Sequence, residues 1–289
     1  MALRLNVIGA GRAGRTLARV FAESGAFSVG DVFDRAPAAG ASAVEFIGGG
    51  RAVDSTAQMK SADVWMLTPP DDQIVASGRA LAASGLLGNA DVVFHCSGAT
   101  PSSELKAVIP AGAVASVHPL RTFADPVVAA RTFKGTYCAA EGDAAALAVL
   151  TPAFEAAGAH VSRIDPAFKT IYHAASVIVC NYLAALMEAG LRSYAKAGLE
   201  RNEALRMMEP LVRETLDNVF RIGTVDALTG PIARGDHAVV ERQVAALTAW
   251  DGNVADLYRE LGRIALELAH AQGRADAGAL AEIARVLKK

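Results

Sequence analysis

Cysteine is scarce in this chain of 289 residues: Cys96, Cys138 and Cys180 are all there is. They lie far apart, odd in number and each in an apolar run. That excludes a disulfide framework and fits reduced, buried thiols in a cytoplasmic protein. Charge of one sign is also missing, because 28 Lys and Arg against 30 Asp and Glu leave a net charge of −2. A nucleic-acid binder is expected to be markedly basic, so none is expected as a partner. Aromatic residues make up 6% of the chain, and no Arg or Lys stripe runs among them. The histidines and cysteines lack ligand spacings such as C-x-x-C or H-x-x-x-H, so no metal centre is expected. No G-x-S-x-G elbow is present, which leaves a serine hydrolase unsupported. The first residues show no basic segment followed by an apolar one, so no signal peptide is expected.

One run of low charge needs a membrane test. Thr170 to Met187 carries no acid or base except His173, but it includes Ser176, Asn181 and two tyrosines, and charges resume on both sides. A spanning helix needs greater length and fewer polar groups. The expectation is a buried helix or one at a subunit interface, and no membrane.

What is present is an apolar fraction of 52%, ample for a globular core, and a glycine triplet near the start. Leu3 to Ile8 reads as a strand, Thr16 to Phe21 as a helix, and Gly9-Ala10-Gly11-Arg12-Ala13-Gly14 joins them. This is the dinucleotide-binding fingerprint in its required strand–turn–helix setting. Gly9 permits the tight turn, Gly11 admits a pyrophosphate, and Gly14 lets the helix pack close. The helix N-terminus offers free N–H groups to the phosphates.

The first 164 residues alternate short β-rich runs with alanine-rich helical ones. Val29–Phe33, Val64–Leu67, Val92–His95, Ala113–Val117, Thr136–Ala139 and His160–Ile164 read as strands. Asp72–Ala83, Ser102–Val108 and Ala144–Ala157 read as helices. Such alternation implies parallel strands with crossover helices. After residue 165 no strand is predicted, and Asn202–Phe220, His237–Trp250 and Val254–Gln272 show helical spacing. The expected organisation is α/β: a doubly wound, mostly parallel Rossmann domain over 1–164, then an all-helical domain over 165–289.

Ligands of such a sheet bind at the carboxyl ends of its strands. Thr68-Pro69-Pro70-Asp71, Ser97-Gly98-Ala99 and His118-Pro119-Leu120-Arg121 fall there. Asp34 ends the second strand, where a carboxylate takes the ribose hydroxyls of NAD; Arg35 follows, and suits the 2′-phosphate of NADP. The two readings conflict. Hydride chemistry needs a group that polarises or protonates the substrate. His118 and His173 are the candidates for that, with Asn181 and Arg121 to orient the substrate. Lys169 is a further candidate acid. Thr229–Asp236, with Gly230-Pro231 and Gly235, is costly punctuation for a mere connector.

Together Val7–Gly14, His95–Gly98, Ser116–Leu120, Tyr172–Ala175 with Asn181-Tyr182, and Leu228–Asp236 resemble a family of Rossmann-like NADP oxidoreductases. That family belongs to the 6-phosphogluconate dehydrogenase-like superfamily, with pyrroline-5-carboxylate and ketopantoate reductases as distant relatives. The resemblance implies NADP across the glycine loop and the loops after Leu67 and Cys96. It also implies a substrate pocket between the domains near His118, His173 and Asn181, and a homodimer through the helical domain. The chain departs from the lysine-plus-asparagine pair of the hydroxyacid dehydrogenases, because the fourth residue after Lys169 is His173. The expected activity is hydride transfer between nicotinamide and a small carbonyl, hydroxyl or imine. The rival expectation is a non-catalytic NAD(P)-binding redox sensor or regulatory protein.

Overall fold

A computed structural model describes residues 2–288. Eight strands form one sheet: β1 (Arg4–Ile8), β2 (Ser28–Phe33), β3 (Arg51–Val53), β4 (Val64–Leu67), β5 (Val92–His95), β6 (Ala113–Pro119), β7 (Tyr137–Gly142) and β8 (His160–Arg163). Their spatial order is β3-β2-β1-β4-β5-β6-β7-β8, the doubly wound order with two strands added at one edge. The helices of this part are α1 (Arg12–Ser24), α2 (Pro37–Ile47), α3 (Ile74–Ala83), α4 (Ser102–Lys106), α5 (Pro126–Arg131), α6 (Ala144–Ala156) and α7 (Lys169–Ser176).

The central strands are apolar at almost every position because both faces are covered. Side chains alternate across a strand, so one run feeds two cores. Leu5, Val7, Val64, Met66, Phe94 and Val117 join Leu17, Phe21 and Phe154 on one face. Ile8, Trp65, Leu67, Val93 and Val114 join Ile74, Leu81 and Leu105 on the other. Phe154 meets Phe21 and Phe94 edge to face at 4.9 and 6.1 Å.

One buried charge ties the amino end of the sheet together. The Asp31 carboxylate accepts from Arg51 Nε at 2.8 Å and the Lys60 N–H at 2.6 Å. Burial works against that carboxylate, but these bonds outweigh it and hold its pKa below the usual range.

The sheet is mostly parallel, as the alternation of strands and helices implies, with one exception at β7. β7 runs antiparallel to β6, pairing His118 with Ala139 and Ser116 with Glu141, while β8 is parallel to β7. α5, six residues long, joins the two strands, and β7 starts opposite the end of β6, with Cys138 facing Pro119.

The chain divides into two compact units, one up to Asn181 and one from Tyr182 onward. The expected division at 164/165 matches the end of the sheet but not that of the first unit. α7 belongs to the sheet's unit because Lys169 reaches Glu141 on β7 and Tyr172 reaches His118 on β6. A π-helical turn, Val177–Asn181, follows it.

The second unit is helical: α8 (Tyr182–Lys196), α9 (Arg201–Ala227), α10 (His237–Trp250), α11 (Gly252–Gln272) and α12 (Ala277–Lys288). Ile232, Val240, Val244, Ala269, Leu280, Ile283 and Leu287 form its main core. α12 was not separately expected, although Leu280, Ile283 and Leu287 recur at helical spacing.

The low-charge run is not buried within this chain. Ile178 and Val179 are 59% and 72% exposed, and Ile171, Tyr182 and Leu186 are exposed with them. The helical run Pro166–Lys196 is long and apolar enough to cross a membrane, by length and composition alone. Burial of the thiols also fails at one position: Cys138 is buried, Cys96 half-buried and Cys180 exposed.

Candidate active site

The glycine loop is shaped by what its neighbours leave open. Gly9 has φ +96°, a conformation that favours glycine, and a Cβ there would meet the backbone of Thr68 and Pro69 at 2.6 Å. A Cβ on Gly14 would collide with Gly9 O and Thr68 Oγ1. Around Gly11 there is nothing within 4 Å. Two glycines therefore let the turn close against the β4 loop, and the third leaves a gap at the N-terminus of α1. Gly11 caps that helix without a side-chain bond, and no acid stands in its first turn. Free N–H groups and the helix dipole favour a phosphate there. Ala10 is buried, Ala13 half-buried and Arg12 exposed on that first turn.

Beside the loop lies a cavity of about 210 Å³ lined by Gly9, Gly11, Asp34, Arg35, Thr68, Pro69 and Pro70 among others. Thr68 fastens its wall by donating its hydroxyl to Gly9 O at 2.6 Å. Asp34 spends its carboxylate on the backbone. One oxygen accepts from the Ala10 N–H at 2.8 Å, the other from the Ala36 N–H at 3.0 Å. Arg35, by contrast, lines the cavity with no such tie among the described residues.

Farther along the same sheet edge, Ser97 donates its hydroxyl to Asp71 at 2.7 Å. The same oxygen accepts from the Ala99 and Thr100 N–H groups. The loops after β4 and β5 are thereby locked together. Gly98 follows, and a Cβ there would lie 2.5 Å from His173 Nδ1 and 2.9 Å from His118 Nε2. His118 and His173 stand edge to face at 5.9 Å, so two histidines 55 positions apart share one glycine's face. His118 Nδ1 and Tyr172 Oη share a hydrogen bond of 2.9 Å. His173 Nδ1 is buried with no partner among the described residues.

Burial, then the nearby His173 and Lys169, push the His118 pKa down to about 4, against a small pull from Asp71. Burial pushes Tyr172 up to about 12. Near neutral pH the pair is therefore an uncharged imidazole and an intact phenol. Such a pair donates and accepts hydrogen bonds without carrying charge into a dry site.

Beneath lies a buried ion pair. Lys169 Nζ donates to Glu141 Oε1 at 2.8 Å, and both side chains are 1% exposed. Glu141 also accepts from the Ser102 N–H and hydroxyl at 2.9 and 2.6 Å. Burial drives the Lys169 pKa down more than Glu141 holds it up.

Two of the expected residues lie elsewhere. Arg121 donates to Thr132 O, Thr132 Oγ1 and Thr136 Oγ1, with its guanidinium over Phe123 and Phe133. Those bonds hold its two terminal nitrogens to the loop after β6, while its Nε is buried with no partner among the described residues. Asn181 is exposed rather than buried, because it ends the π-helical turn. Glu141 and Ser102 were not singled out from sequence, and Asp71 and Tyr172 lay in segments noted there without a role of their own. Glu141 had one signal, as the only charge in the apolar run of β7.

Residues 136–265 match the model of a domain of unknown function, DUF2520. No curated protein is significantly similar to the chain in sequence. Among solved structures, protein TM1727 from Thermotoga maritima is 29% identical, with a TM-score of 0.74 over 93% of this chain and 100% of that one. The putative NADP oxidoreductase BF3122 from Bacteroides fragilis is 20% identical, with a TM-score of 0.69 over 91% and 98%. A pyrroline-5-carboxylate reductase from Coxiella burnetii is 15% identical, with a TM-score of 0.58 over 99% of both chains. The chain shares the fold of these structures, a mostly parallel sheet followed by helices, and within it residues 136–265 carry the DUF2520 match.

Proposed function

We propose that this chain is an NAD(P)-dependent oxidoreductase that prefers NADP and acts on a small carbonyl, hydroxyl or imine. One observation carries the reading: a glycine loop open only at Gly11 shares its sheet edge with a cluster of His118, Tyr172 and His173. The open backbone and the N-terminus of α1 fit a pyrophosphate. Arg35 is free to meet a 2′-phosphate, whereas Asp34 is already spent on Ala10 and Ala36. When bound, the nicotinamide supplies or accepts the hydride at its C4.

The chain's own residues do the rest. His118 and His173 hold the substrate oxygen or nitrogen by hydrogen bonds, and Tyr172 fixes the His118 ring. The Ser97–Asp71 bond keeps the loops that flank the site in place. The protein works in the cytoplasm as a homodimer through its helical unit. An apolar groove of about 750 Å³ in that unit, with Leu186, Leu211, Leu257 and Leu261 in its walls, supports this, as does Phe220, 86% exposed.

Titration of the purified protein with NADPH and NADH, followed by nicotinamide fluorescence at one salt concentration, tests the reading. Tighter NADPH binding is expected. Tighter NADH binding would return the ribose to Asp34. Binding of neither would end the oxidoreductase reading.

A further inference from the structure

α9 is apolar along one side and has little in its own chain to pack against. Of its 27 residues, Ala204 and Met208 are the buried ones, both in its first third. From Pro210 onward no described residue of the helix is buried, yet Leu211, Leu216, Phe220 and Ile222 stand there. Leu211 is 58% exposed and Phe220 86%. The polar side is provided for, with Glu209 paired to Arg213 and Asn218 bonded to Arg221. A protein helix draws most of its stability from packing its apolar face. Gly223, at φ +81°, breaks the helix, so residues 201–222 form a rod of their own.

The same unit holds a groove of the matching kind. The groove of about 750 Å³ is walled by α8, α9, α10 and α11, with Leu186, Leu211, Leu247 and Leu257 among its lining. Its apolar rows run on past the rim. Phe220 follows the lining residue Leu216 by one turn of α9, and Ile264 follows Leu261 by one turn of α11, both exposed. Ser193, Thr215 and Tyr258 also line the groove, but they donate their hydroxyls to Ala189 O, Leu211 O and Gln243 in the same walls. Those hydroxyls hold out no proton to a small polar ligand.

Phe220, Leu211, Ile264, Leu186, Leu261 and Leu257 expose roughly 600 Å² of apolar surface between them, taking full side-chain areas of about 200 Å². A standard interface takes about 800 Å² from each partner, about 65% of it apolar in a homodimer. The patch therefore has the size of one homodimer face, at the upper end of what a monomer leaves bare. A groove short of a helix and a helix short of a groove occur in one chain. Another protein would have to bring both, whereas a second copy has both, and a twofold axis satisfies the two at once.

We infer that residues 211–222 of α9 pack into the groove of a second copy of this chain and that the second copy returns the same segment. The inference rests on the homodimer reading above and goes beyond it. It names the exchanged segment, and it makes the dimer obligate, because the second half of α9 has no packed state in one chain alone.

Sedimentation velocity of the full-length protein over a wide range of concentration tests it, with melting temperatures on the same samples. A dimer is expected, with a melting temperature that rises with concentration. Phe220→Asp and Leu211→Asp should each raise the dimer dissociation constant about 100-fold or more and lower the melting temperature. Val128→Asp, on the equally bare α5, should change neither. Because an aspartate variant can fail to fold, p-benzoylphenylalanine incorporated at position 220 gives a second measurement. On irradiation it should yield a species of twice the chain mass, cross-linked to α8 or α11 of the second copy. A monomer at every concentration, alone or carrying an apolar small molecule or a foreign protein in the groove, would overturn both this inference and the homodimer reading. A dimer that survives both aspartate variants, or whose cross-links stay within one chain, would overturn this inference alone. No nucleotide enters the test, so the oxidoreductase reading stands or falls separately.

Discussion

The glycine-loop cradle and the histidine cluster share a sheet edge but are made of different material. The cradle is backbone: six consecutive residues, two of them glycines walled in by Thr68 and Pro69, and a carboxylate spent on N–H groups. The cluster is side chain: His118 from β6, Tyr172 and His173 from α7, set against Gly98 after β5 and held from below by Lys169 and Glu141. A cradle of local backbone tolerates change in distant side chains. A cluster assembled from distant segments fails when any support fails.

The sharpest way to break this comparison is Glu141→Ala. It leaves the Lys169 ammonium buried and alone, which should cost about 3–5 kcal/mol of stability, read by urea unfolding. Glu141→Gln keeps the Ser102 contacts and should lose less. Next, His118→Ala should lower turnover about 10²-fold or more, with NADPH affinity within about twofold of the parent. Gly98→Ala should follow closely, because its methyl displaces both imidazoles without touching the glycine loop. If either variant loses cofactor affinity as severely as turnover, the cradle and the cluster are not separate parts.

A smaller effect sharpens the electrostatic side. His95 is pushed down to about 3 and His118 to about 4, both chiefly by burial, from an ordinary 6.5. The unfolded chain then binds more protons than the folded one below pH 6.5. The stability these groups lend is present above 6.5 and is lost as pH falls toward 4, at about 1.4 kcal/mol per pH unit per histidine. Melting temperatures across that window, compared between the parent and His118→Gln, measure the His118 share. The smallest expected change is Arg35→Ser, about tenfold weaker NADPH binding with NADH unaffected.

The cradle was legible in the sequence because its chemistry lies in consecutive residues, and a strand–turn–helix pattern places them. The strands were legible for a similar reason: burial on both faces leaves continuous apolar runs. The cluster was half legible. His118 and His173 stood out as lone polar groups at telling positions, but their meeting rests on the packing of α7 beside β6, which no local pattern reveals. Arg121 shows the opposite case. A cation at a strand's carboxyl end suggests a substrate anchor, yet Thr132 and Thr136 claim it through a packing no local pattern reveals.

The reversal of β7 gives the molecule a means of alignment. Glu141 faces Ser116 across the ladder, and Ala139 faces His118 two residues nearer the carboxyl edge. α7 climbs beside this rung and its neighbour, anchoring Lys169 at the lower one and delivering Tyr172 to the upper. Three helical residues advance about 4.5 Å and two strand residues about 6.6 Å, near enough for side chains to close the difference. The ion pair therefore works as an index pin. Slipping the helix by one residue would turn it about 100° and swing Tyr172 off the imidazole. A site gathered from three remote stretches of chain thus has its tolerance set by one peg in one hole.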